Sequence, residues 1–421
     1  MNDMEYEKLG TYCDVISGYA FKSADWQDEG VPVIKIGNIS NGCDVILDES
    51  TQYVDESFCD KLDKKYLIEN GDILISLTGS HINQPNSMVG RSCRNYTDRL
   101  YLLNQRAGKV IPFDTVDKDY LYYLFTTKAI KYDVANRAYG GANQVNVSPK
   151  DIKNIKWAFP EINIQRRIAD ILSKYDALIH NNNKRIKVLE QMSESLYKEW
   201  FVRFRFPGYE NVEFAEDLPL GWEIKRLGEF GVSLDSGSRP SGGVDDSITE
   251  GVPTLGAEAV KGLAEFDYSS VKYIPHEYYN KMKRGKFDGN AILVYKDGAY
   301  IGKTTIFRNE FPFKVFAANE HVFLMKANNF VYQNYLYFTL HQKEYFYLMQ
   351  NLNRNAAQPG LAQPDIKRIK ITVPSENVIR QFNAIIEPMF DEVFQLAKAN
   401  RNIAQQRDML LPRLMSGKLE V

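Results

Sequence analysis

The pattern of apolar and polar positions alternates between two kinds of segment along the chain. Short runs such as VPVIKIG at 31–37, GDILIS at 71–76 and NAILVYK at 290–296 are β-rich, with Gly, Asn and Asp between them, which predicts short strands joined by turns. The runs LYYLF at 121–125 and YLYFTL at 335–340 predict short helices. These elements favour an α/β (α+β) fold class with two β-rich units.

A long helical pattern follows each β-rich region. Apolar residues recur every three or four positions from 164 to 196 and again from 382 to 414, and this period is typical of a coiled-coil seam. Because one such helix cannot bury its own apolar stripe, we expect the two helices to pair with each other. Asn182 and Asn400 fall at equivalent seam positions, where a polar residue can fix the register. The alternative is that both face solvent at an irregularity of the seam.

The sequence is a tandem repeat with an offset of about 215 residues. GDILIS is echoed by GNAILV at 289–294, YLY at 120–122 by YLY at 335–337, and DIKNIK at 151–156 by DIKRIK at 365–370. We therefore predict four segments: a first β-rich unit at 1–160, a long helix at 161–206, a second β-rich unit at 207–374 and a second long helix at 375–421.

The charge balance excludes a uniformly basic nucleic-acid binder. The 421 residues carry 52 Lys and Arg against 54 Asp and Glu, which gives a formal net charge of -2. A net charge near zero is compatible with a basic surface on one part of the protein. Basic residues outnumber acidic ones between 150 and 205, whereas 210–267 is markedly acidic. We expect the acidic stretch to face away from nucleic acid or toward a protein partner.

The chain carries no sign of export or membrane insertion. Its first ten residues are polar and acidic, and no apolar run approaches 18 residues, so we expect neither a signal peptide nor a membrane span. The four cysteines lie in the first quarter without a C-x-x-C pair and are expected to be free thiols. A cytoplasmic location follows from these expectations.

The motifs of catalysis and metal binding are missing from the sequence. Gly298 and Gly302 enclose three residues, whereas a phosphate-binding Walker loop needs four between its glycines. The five histidines form no H-x-x-x-H pair and lie far from the cysteines, so we expect no metal site. No G-x-S-x-G elbow occurs. We expect no catalytic residue in this chain.

The pattern of strands and helices repeats, while the polar side chains at equivalent positions differ between the two copies. Asn104-Gln105-Arg106 corresponds to Asn319-Glu320-His321, and Thr78-Gly79-Ser80 to Asp297-Gly298-Ala299. Two similar scaffolds that present different hydrogen-bonding groups are what a protein needs to recognise two different short targets. Asn, Gln and Arg are side chains that pair with base edges in the major groove.

On these features, the whole chain resembles the specificity subunit of a type I restriction-modification system. The resemblance rests on the two half-length repeats, the two long helices, and the GDILIS, TG and DIKxIxxxxP elements of the units. It implies that each unit is a target recognition domain for one half of a bipartite DNA site, and that the two helices pair as an antiparallel coiled coil that forms the spacer. It also implies a noncatalytic chain that binds double-stranded DNA and positions two adenine-N6 methyltransferase subunits, with two restriction subunits as further partners. S-adenosylmethionine and ATP are then cofactors of those partners, with none in this chain.

We expect the DNA contacts to lie in loops rather than strands, although Asn and Gly are also common turn formers. The candidates in the first unit are Thr78, Ser80, Arg91, Asn104, Arg106, Asn143 and Gln144. Those in the second are Lys296, Lys303, Arg354, Asn355 and Gln358. Two other functions stay open: the DNA-reading subunit of a type II system with a fused methyltransferase-nuclease, and a coiled-coil scaffold that binds proteins without DNA.

Overall fold

The chain folds into two compact mixed α/β units in a computed structural model. The structure describes residues 5–421 except 41, 43, 49, 81–88, 142–143, 216, 246, 299 and 353–359. Unit 1 comprises residues 1–177 and 404–421, and unit 2 comprises residues 178–403. Each unit combines β-sheets with a portion of both long helices, which confirms the predicted fold class. The four segment boundaries drawn along the sequence stay a prediction.

The helices include two that are much longer than the others. The first long helix is Ile162–Tyr197, which continues as a π-helical turn at Lys198–Val202, and the second long helix is Glu376–Met415. The predicted short helices are confirmed as Lys118–Thr126 and Gln333–His341, and each is followed by another, Lys128–Asn136 and Lys343–Asn351. The remaining α-helices of the described residues are Phe58–Lys61, Pro149–Lys153, Leu227–Phe230, His276–Lys281 and Gln363–Lys367.

The described residues of unit 1 form four small sheets. Its four-stranded sheet has the order Cys13–Ser17, Ala107–Pro112, Ile73–Ser76, Ser92–Arg94. A five-stranded sheet has the order Trp26–Gln27, Gln52–Val54, Val31–Ile34, Tyr101–Leu103, Leu67–Ile68. The others join Tyr139–Gly141, Gln144–Asn146 and Thr78–Gly79, and pair Tyr6–Lys8 with Lys156–Ala158.

Unit 2 repeats this framework. Its four-stranded sheet has the equivalent order Val232–Asp235, Val322–Ala327, Asn290–Tyr295, Thr304–Arg308. Its three-stranded sheet, Lys272–Ile274, Val252–Leu255 and Ala317–Ala318, contains a parallel pair. Unit 1 forms the same parallel pair between Val31–Ile34 and Tyr101–Leu103. Two-stranded pairs join Glu223–Arg226 to Lys370–Val373 and Phe214–Ala215 to Leu218–Pro219. The duplication read from the sequence is therefore a duplication of topology.

Each hydrophobic core lies between a four-stranded sheet, a short helix and the long helices. In unit 1 residues 120–125 are all buried and pack with Leu172 of the first long helix and Leu414 of the second. In unit 2 residues 335–340 are buried and belong to a core with Phe382 and Phe390 of the second long helix. The six consecutive buried residues of each short helix explain its lack of amphipathic spacing, because both of its faces contact apolar surface.

The long helices pair antiparallel within each unit. In unit 2, Asn182 contacts Asn400 and Ser193 contacts Met389. Residue numbers therefore increase along the first helix in the direction in which they decrease along the second. Unit 1 shows the same direction, with Asp176 beside Arg407 and Arg167 beside Val421. The apolar seam departs from the strict pattern: Leu178 and Met192 are exposed. An α-helix turns once every 3.6 residues, so a 3.5-residue pattern drifts off the contact face along the helix.

The long helices are too polar to be membrane spans. Among the residues that the structure describes, no helix combines the length and the apolar character needed to cross a bilayer.

Candidate nucleic-acid interface

A three-stranded sheet connects two of the loops that sequence reasoning selected in unit 1. The strand Thr78–Gly79 pairs with Gln144–Asn146, which forms a hairpin with Tyr139–Gly141. Thr78 is buried, and its hydroxyl donates a hydrogen bond of 2.8 Å to the side-chain oxygen of Asn146. Gln144 is exposed on the hairpin. The Thr78 side chain therefore makes a contact within the sheet, whereas the Gln144 side chain is accessible to a ligand.

Asn104 forms the turn that presents Arg106. Asn104 is buried, and its side-chain oxygen accepts the backbone N–H of Arg106 at 3.4 Å, while Arg106 itself is exposed. The equivalent Asn319 of unit 2 accepts the N–H of His321 at 2.8 Å. The asparagine is thus a turn residue in both copies, and the side chain two positions later differs between the copies: Arg106 is exposed, whereas His321 is half-buried.

Lys296 is tied to the loop that contains Glu320. Its Nζ donates to the backbone oxygen of Glu320 at 2.9 Å and lies 5.2 Å from the ring centre of Phe323. Glu320 forms an ion pair with Arg239, a residue that sequence reasoning missed. This half-exposed group of Lys296, Glu320 and Arg239 is already charge-paired within unit 2.

Two equivalent turns carry Arg91 and Lys303. Gly90 and Gly302 have φ angles of +74° and +87°, a backbone region that favours glycine. Arg91 and Lys303 follow them and are each half-buried. The Lys303 Nζ lies 5.7 Å from the ring centre of Tyr300. The turns therefore place a cation at the same point of both frameworks.

The other candidates are placed only in part. Ser80 is half-buried at the end of the strand Thr78–Gly79. Asn143, Arg354, Asn355 and Gln358 lie outside the described residues. The structure brings Thr78 and Gln144 into one sheet, and the assignment of all twelve residues to DNA stays a prediction.

Exposed tyrosines are the feature that sequence reasoning missed. Tyr139 of the hairpin is 62% exposed, and Tyr132 and Tyr347 are 57% and 58% exposed on the two short helices that follow the buried ones. Tyr132 and Tyr347 are separated by the repeat offset, which is the signal that could have identified them. Tyrosines combine a large apolar contact area with a hydroxyl donor and often lie in binding surfaces.

The two seam asparagines contact each other. The Asn182 amide donates to the side-chain oxygen of Asn400 at 2.8 Å, and Asn400 donates to Asn183 at 2.7 Å. Asn182 is buried. The contact is compatible with a register role, which stays a prediction.

Carboxylates at equivalent positions of the two long helices bind side chains from the rest of each unit. In unit 1, Asp176 accepts a hydrogen bond of 2.6 Å from the Tyr123 hydroxyl and pairs with Arg407. Burial raises the pKa of Tyr123, and the negative charge of Asp176 raises it further, so this hydroxyl remains a donor. In unit 2, Asp391 accepts from Arg308 at 3.1 Å and from Asn309 at 2.7 Å. These polar contacts supplement the apolar cores in fixing the units.

The chemistry of the described residues is that of recognition. The exposed loops and helices offer amides, hydroxyls and cations, which are the groups that contact phosphates and base edges. Within the part of the chain that the structure describes, no three His, Cys, Asp or Glu side chains converge in a way that could hold a metal ion.

Comparisons with known proteins establish the family. The family described as "Type I restriction modification DNA specificity domain" matches residues 1–191 and 219–403. The chain therefore belongs to the type I restriction-modification DNA specificity family, and DNA sequence recognition is its role.

Individual relatives agree with this family over most of the chain. The type I restriction enzyme MjaIX specificity subunit of Methanocaldococcus jannaschii is 28% identical over 326 residues, covering 76% of this chain and 73% of that protein. The putative MjaX specificity subunit of the same organism is 26% identical over 432 residues, covering 100% of this chain and 94% of that protein. The crystal structure of a type I S subunit from M. genitalium shares the fold with a TM-score of 0.54 at 16% identity, covering 98% of this chain and 97% of that one.

Proposed function

We propose that this chain is the noncatalytic specificity subunit of a type I restriction-modification system and reads a bipartite DNA target. One recognition unit reads each half of the target. The observation that carries the proposal is the duplicated topology with a different side chain at equivalent turns, the exposed Arg106 in unit 1 and the half-buried His321 in unit 2. A reader of two different half-sites needs this combination, because base contacts specify sequence while the framework sets position.

Methyltransferase subunits are the proposed partners. Two of them would methylate adenine N6 with S-adenosylmethionine, and two restriction subunits would cleave DNA with ATP, so both cofactors belong to the partners and none to this chain. The comparisons support assembly of this kind, since the matched relatives are subunits of type I restriction enzymes. They favour neither the type II alternative nor the scaffold without DNA.

Exchange of one recognition unit tests the bipartite reading. The segment 1–160 is replaced by that of a relative, and methylated bases are sequenced in cells that also carry the methyltransferase. We expect one half of the methylated motif to change and the other to stay. A change in both halves would contradict the assignment of one unit to each half-site.

A heptad inserted into both long helices tests their role as the spacer. One heptad lengthens a helix by about 10 Å, the rise of roughly three base pairs. We expect a longer gap between unchanged half-sites, read by sequencing methylated bases. Methylation at the original gap by the lengthened protein would show that the helices do not set the spacing.

DNA retention by the purified complex tests the proposal as a whole. The methyltransferase complex is passed over duplex DNA that carries the genomic motif and over a scrambled duplex at moderate salt. We expect retention on the motif. Equal retention on both duplexes would reject sequence recognition, and methylation or cleavage by this chain alone would reject the noncatalytic role.

A further inference from the structure

Two helices that have no assigned role occupy equivalent places in the two units. Lys128–Asn136 and Lys343–Asn351 each follow the buried short helix of their unit. Each buries one side, with Val134 and Met349 at equivalent positions in the two cores. Each also exposes a tyrosine, Tyr132 at 57% and Tyr347 at 58%. Equal exposure of the same residue type at both places points to a shared contact.

Lysines lie on the same flank of each helix as the tyrosine. Residues three and four positions apart are neighbours on a helix surface, so Lys128, Lys131 and Tyr132 form one flank in unit 1. Asp133 lies on the other side of that helix, because successive residues are separated by 100°. In unit 2, Lys343 and Tyr347 have the same four-residue spacing, and the exposed Glu344, three residues before Tyr347, adds one negative charge to this flank.

A glycine turn brings another cation beside each helix. A Cβ at Gly90 would lie 3.1 Å from the Val134 side chain, and a Cβ at Gly302 would lie 2.7 Å from the Met349 Cβ. The turns therefore pack directly on the helices, and glycine permits this approach. Arg91 and Lys303 follow these glycines and complete what we call the unit 1 basic flank (Arg91, Lys128, Lys131, Tyr132) and the unit 2 basic flank (Lys303, Lys343, Tyr347).

The lysines of the flanks have no acidic partner in the part of the chain that the structure describes. No ion pair to a described residue involves Lys128, Lys131 or Lys343, although many other surface lysines of the chain form one, as Lys281 does with Glu277 at 2.6 Å. Burial lowers the pKa of Lys131, and the nearby charges of Arg91 and Lys128 lower it further. Mutual repulsion of this kind is relieved when an anion binds.

We propose that the two basic flanks bind the sugar-phosphate backbone of duplex DNA, one beside each half-site. The proposal rests on the DNA-recognition function and adds the elements that hold the duplex. Lys and Arg neutralise phosphates and Tyr hydroxyls donate to phosphate oxygens, which supplies affinity and orientation without sequence preference. Such contacts are the same for any target, which explains why the flanks recur while the turns at Arg106 and His321 differ.

The two flanks differ in strength. Phe346 occupies the position in unit 2 that Lys131 occupies in unit 1, so the unit 1 basic flank has three cations and the unit 2 basic flank has two. The number of phosphates neutralised should therefore be larger on the unit 1 side.

The salt dependence of DNA binding tests this proposal. The methyltransferase complex is assembled with the wild-type chain, with Lys128→Gln/Lys131→Gln or with Lys343→Gln, and its affinity for motif and scrambled duplexes is measured from low to high salt. Each lost phosphate contact lowers the slope of log affinity against log salt by about 0.9. We expect a fall of about 2 for the double variant and about 1 for Lys343→Gln, equal on both duplexes, with the methylated motif unchanged.

A matched control removes two charges elsewhere in unit 1. Lys61→Gln/Lys64→Gln changes two exposed lysines near the five-stranded sheet and should leave the slope as in the wild type. Tyr132→Phe should weaken binding to both duplexes by a few-fold without changing the slope, because a hydroxyl carries no charge.

The outcomes separate this proposal from the one it rests on. An unchanged slope in the flank variants, with motif retention intact in the wild type, would overturn the phosphate contact alone. Loss of methyltransferase from the purified complex in these variants would also overturn it, since the flanks would then be a protein interface. A wild-type complex without motif preference would reject the DNA-recognition function itself.

Discussion

The side-chain amide of Asn182 donates a hydrogen bond of 2.8 Å to the side-chain oxygen of Asn400, across the pair of long helices in unit 2. Apolar side chains flank this contact, with Leu189 and Val393 in the same core. The hydrogen bond satisfies the buried amide of Asn182 in the observed register, whereas a shift of either helix would separate this amide from the half-buried Asn400. Two polar residues in the seam therefore reduce the apolar area that the helix pair buries, and in return they favour one register of the two helices.

Replacing both asparagines with leucine should stabilise the helix pair and loosen its register. We expect Asn182→Leu/Asn400→Leu to raise the melting temperature, because one buried and one half-buried amide become apolar contacts. Sequencing of methylated bases should then find motifs with more than one gap length. Asn181→Leu, at an exposed neighbouring position, is the control and should keep the single gap length. A single gap in the double variant would remove the register role.

Removal of Arg407 should destabilise unit 1 through the charge that it leaves behind. Asp176 and Arg407 have side chains that are 10% and 12% exposed, and they pair with each other. Breaking a buried pair from one side costs about 3 kcal/mol, since the remaining charge loses its partner. We expect Arg407→Leu to lose about that much in urea unfolding, and Asp176→Asn/Arg407→Leu to recover most of it.

The control for the ion pair is Arg413→Leu, an exposed position on the same helix, which should change stability little. Equal losses in the single and double variants would show that Arg407 acts through packing of its side chain rather than through its charge.

The sequence predicted the framework well because the framework repeats. Buried strands such as Ile73–Ser76 and Asn290–Tyr295 are continuous apolar runs between turns, and the long helices carry a periodic stripe. Because the sequence is duplicated, each weak pattern of a strand or helix occurs twice, and the second copy supports the interpretation of the first. These features depend on residues that are near in sequence, which is why composition and spacing reveal them.

The interface was predicted less well because it depends on tertiary packing. Asn104 and Thr78 have the chemistry of base readers, yet both are buried and make hydrogen bonds within unit 1. Their neighbours Arg106 and Gln144 are exposed instead. Tyr132 gave no local signal, since a tyrosine on a short helix is as often buried, as Tyr122 is. The side that a short helix buries is decided by contacts from distant parts of the chain.

A methyl group at Gly18 should disrupt the turn that presents Arg106. A Cβ there would lie 2.2 Å from the backbone oxygen of Leu103 and 2.4 Å from that of Asn104, and backbone atoms cannot move aside locally. We expect Gly18→Ala to lower the free energy of unfolding by about 2–3 kcal/mol, the usual effect of overpacking. Urea unfolding of the purified chain measures the loss.

Gly37→Ala is the matched control, because nothing lies within 4 Å of a Cβ at Gly37. That substitution should be neutral or slightly stabilising, since it restricts the unfolded chain. If Gly18→Ala behaved like Gly37→Ala, the close approach of the Leu103 and Asn104 backbone would not constrain the turn.

The stability of unit 2 should fall between weakly acidic and neutral pH through Glu190. Burial raises the pKa of Glu190 to about 7, and the negative charges of Glu194 and Glu265 contribute in the same direction. An unfolded glutamate titrates near 4.3, so between these values the folded chain binds more protons than the unfolded one. Stability from this group is therefore complete below about pH 4 and is lost as the pH rises through about 7.

Glu190→Gln should remove this pH dependence, because glutamine mimics the protonated acid. We expect the variant to melt at the wild-type temperature at pH 4.5 and about 2–4 °C higher at pH 8, the shift that about 1 kcal/mol produces in a domain of this size. Glu250→Gln, at an exposed position of the same unit, should leave the difference between the two pH values as in the wild type. A Glu190→Gln effect of equal size at both pH values would mean that packing of the side chain, rather than its charge, decides the stability here.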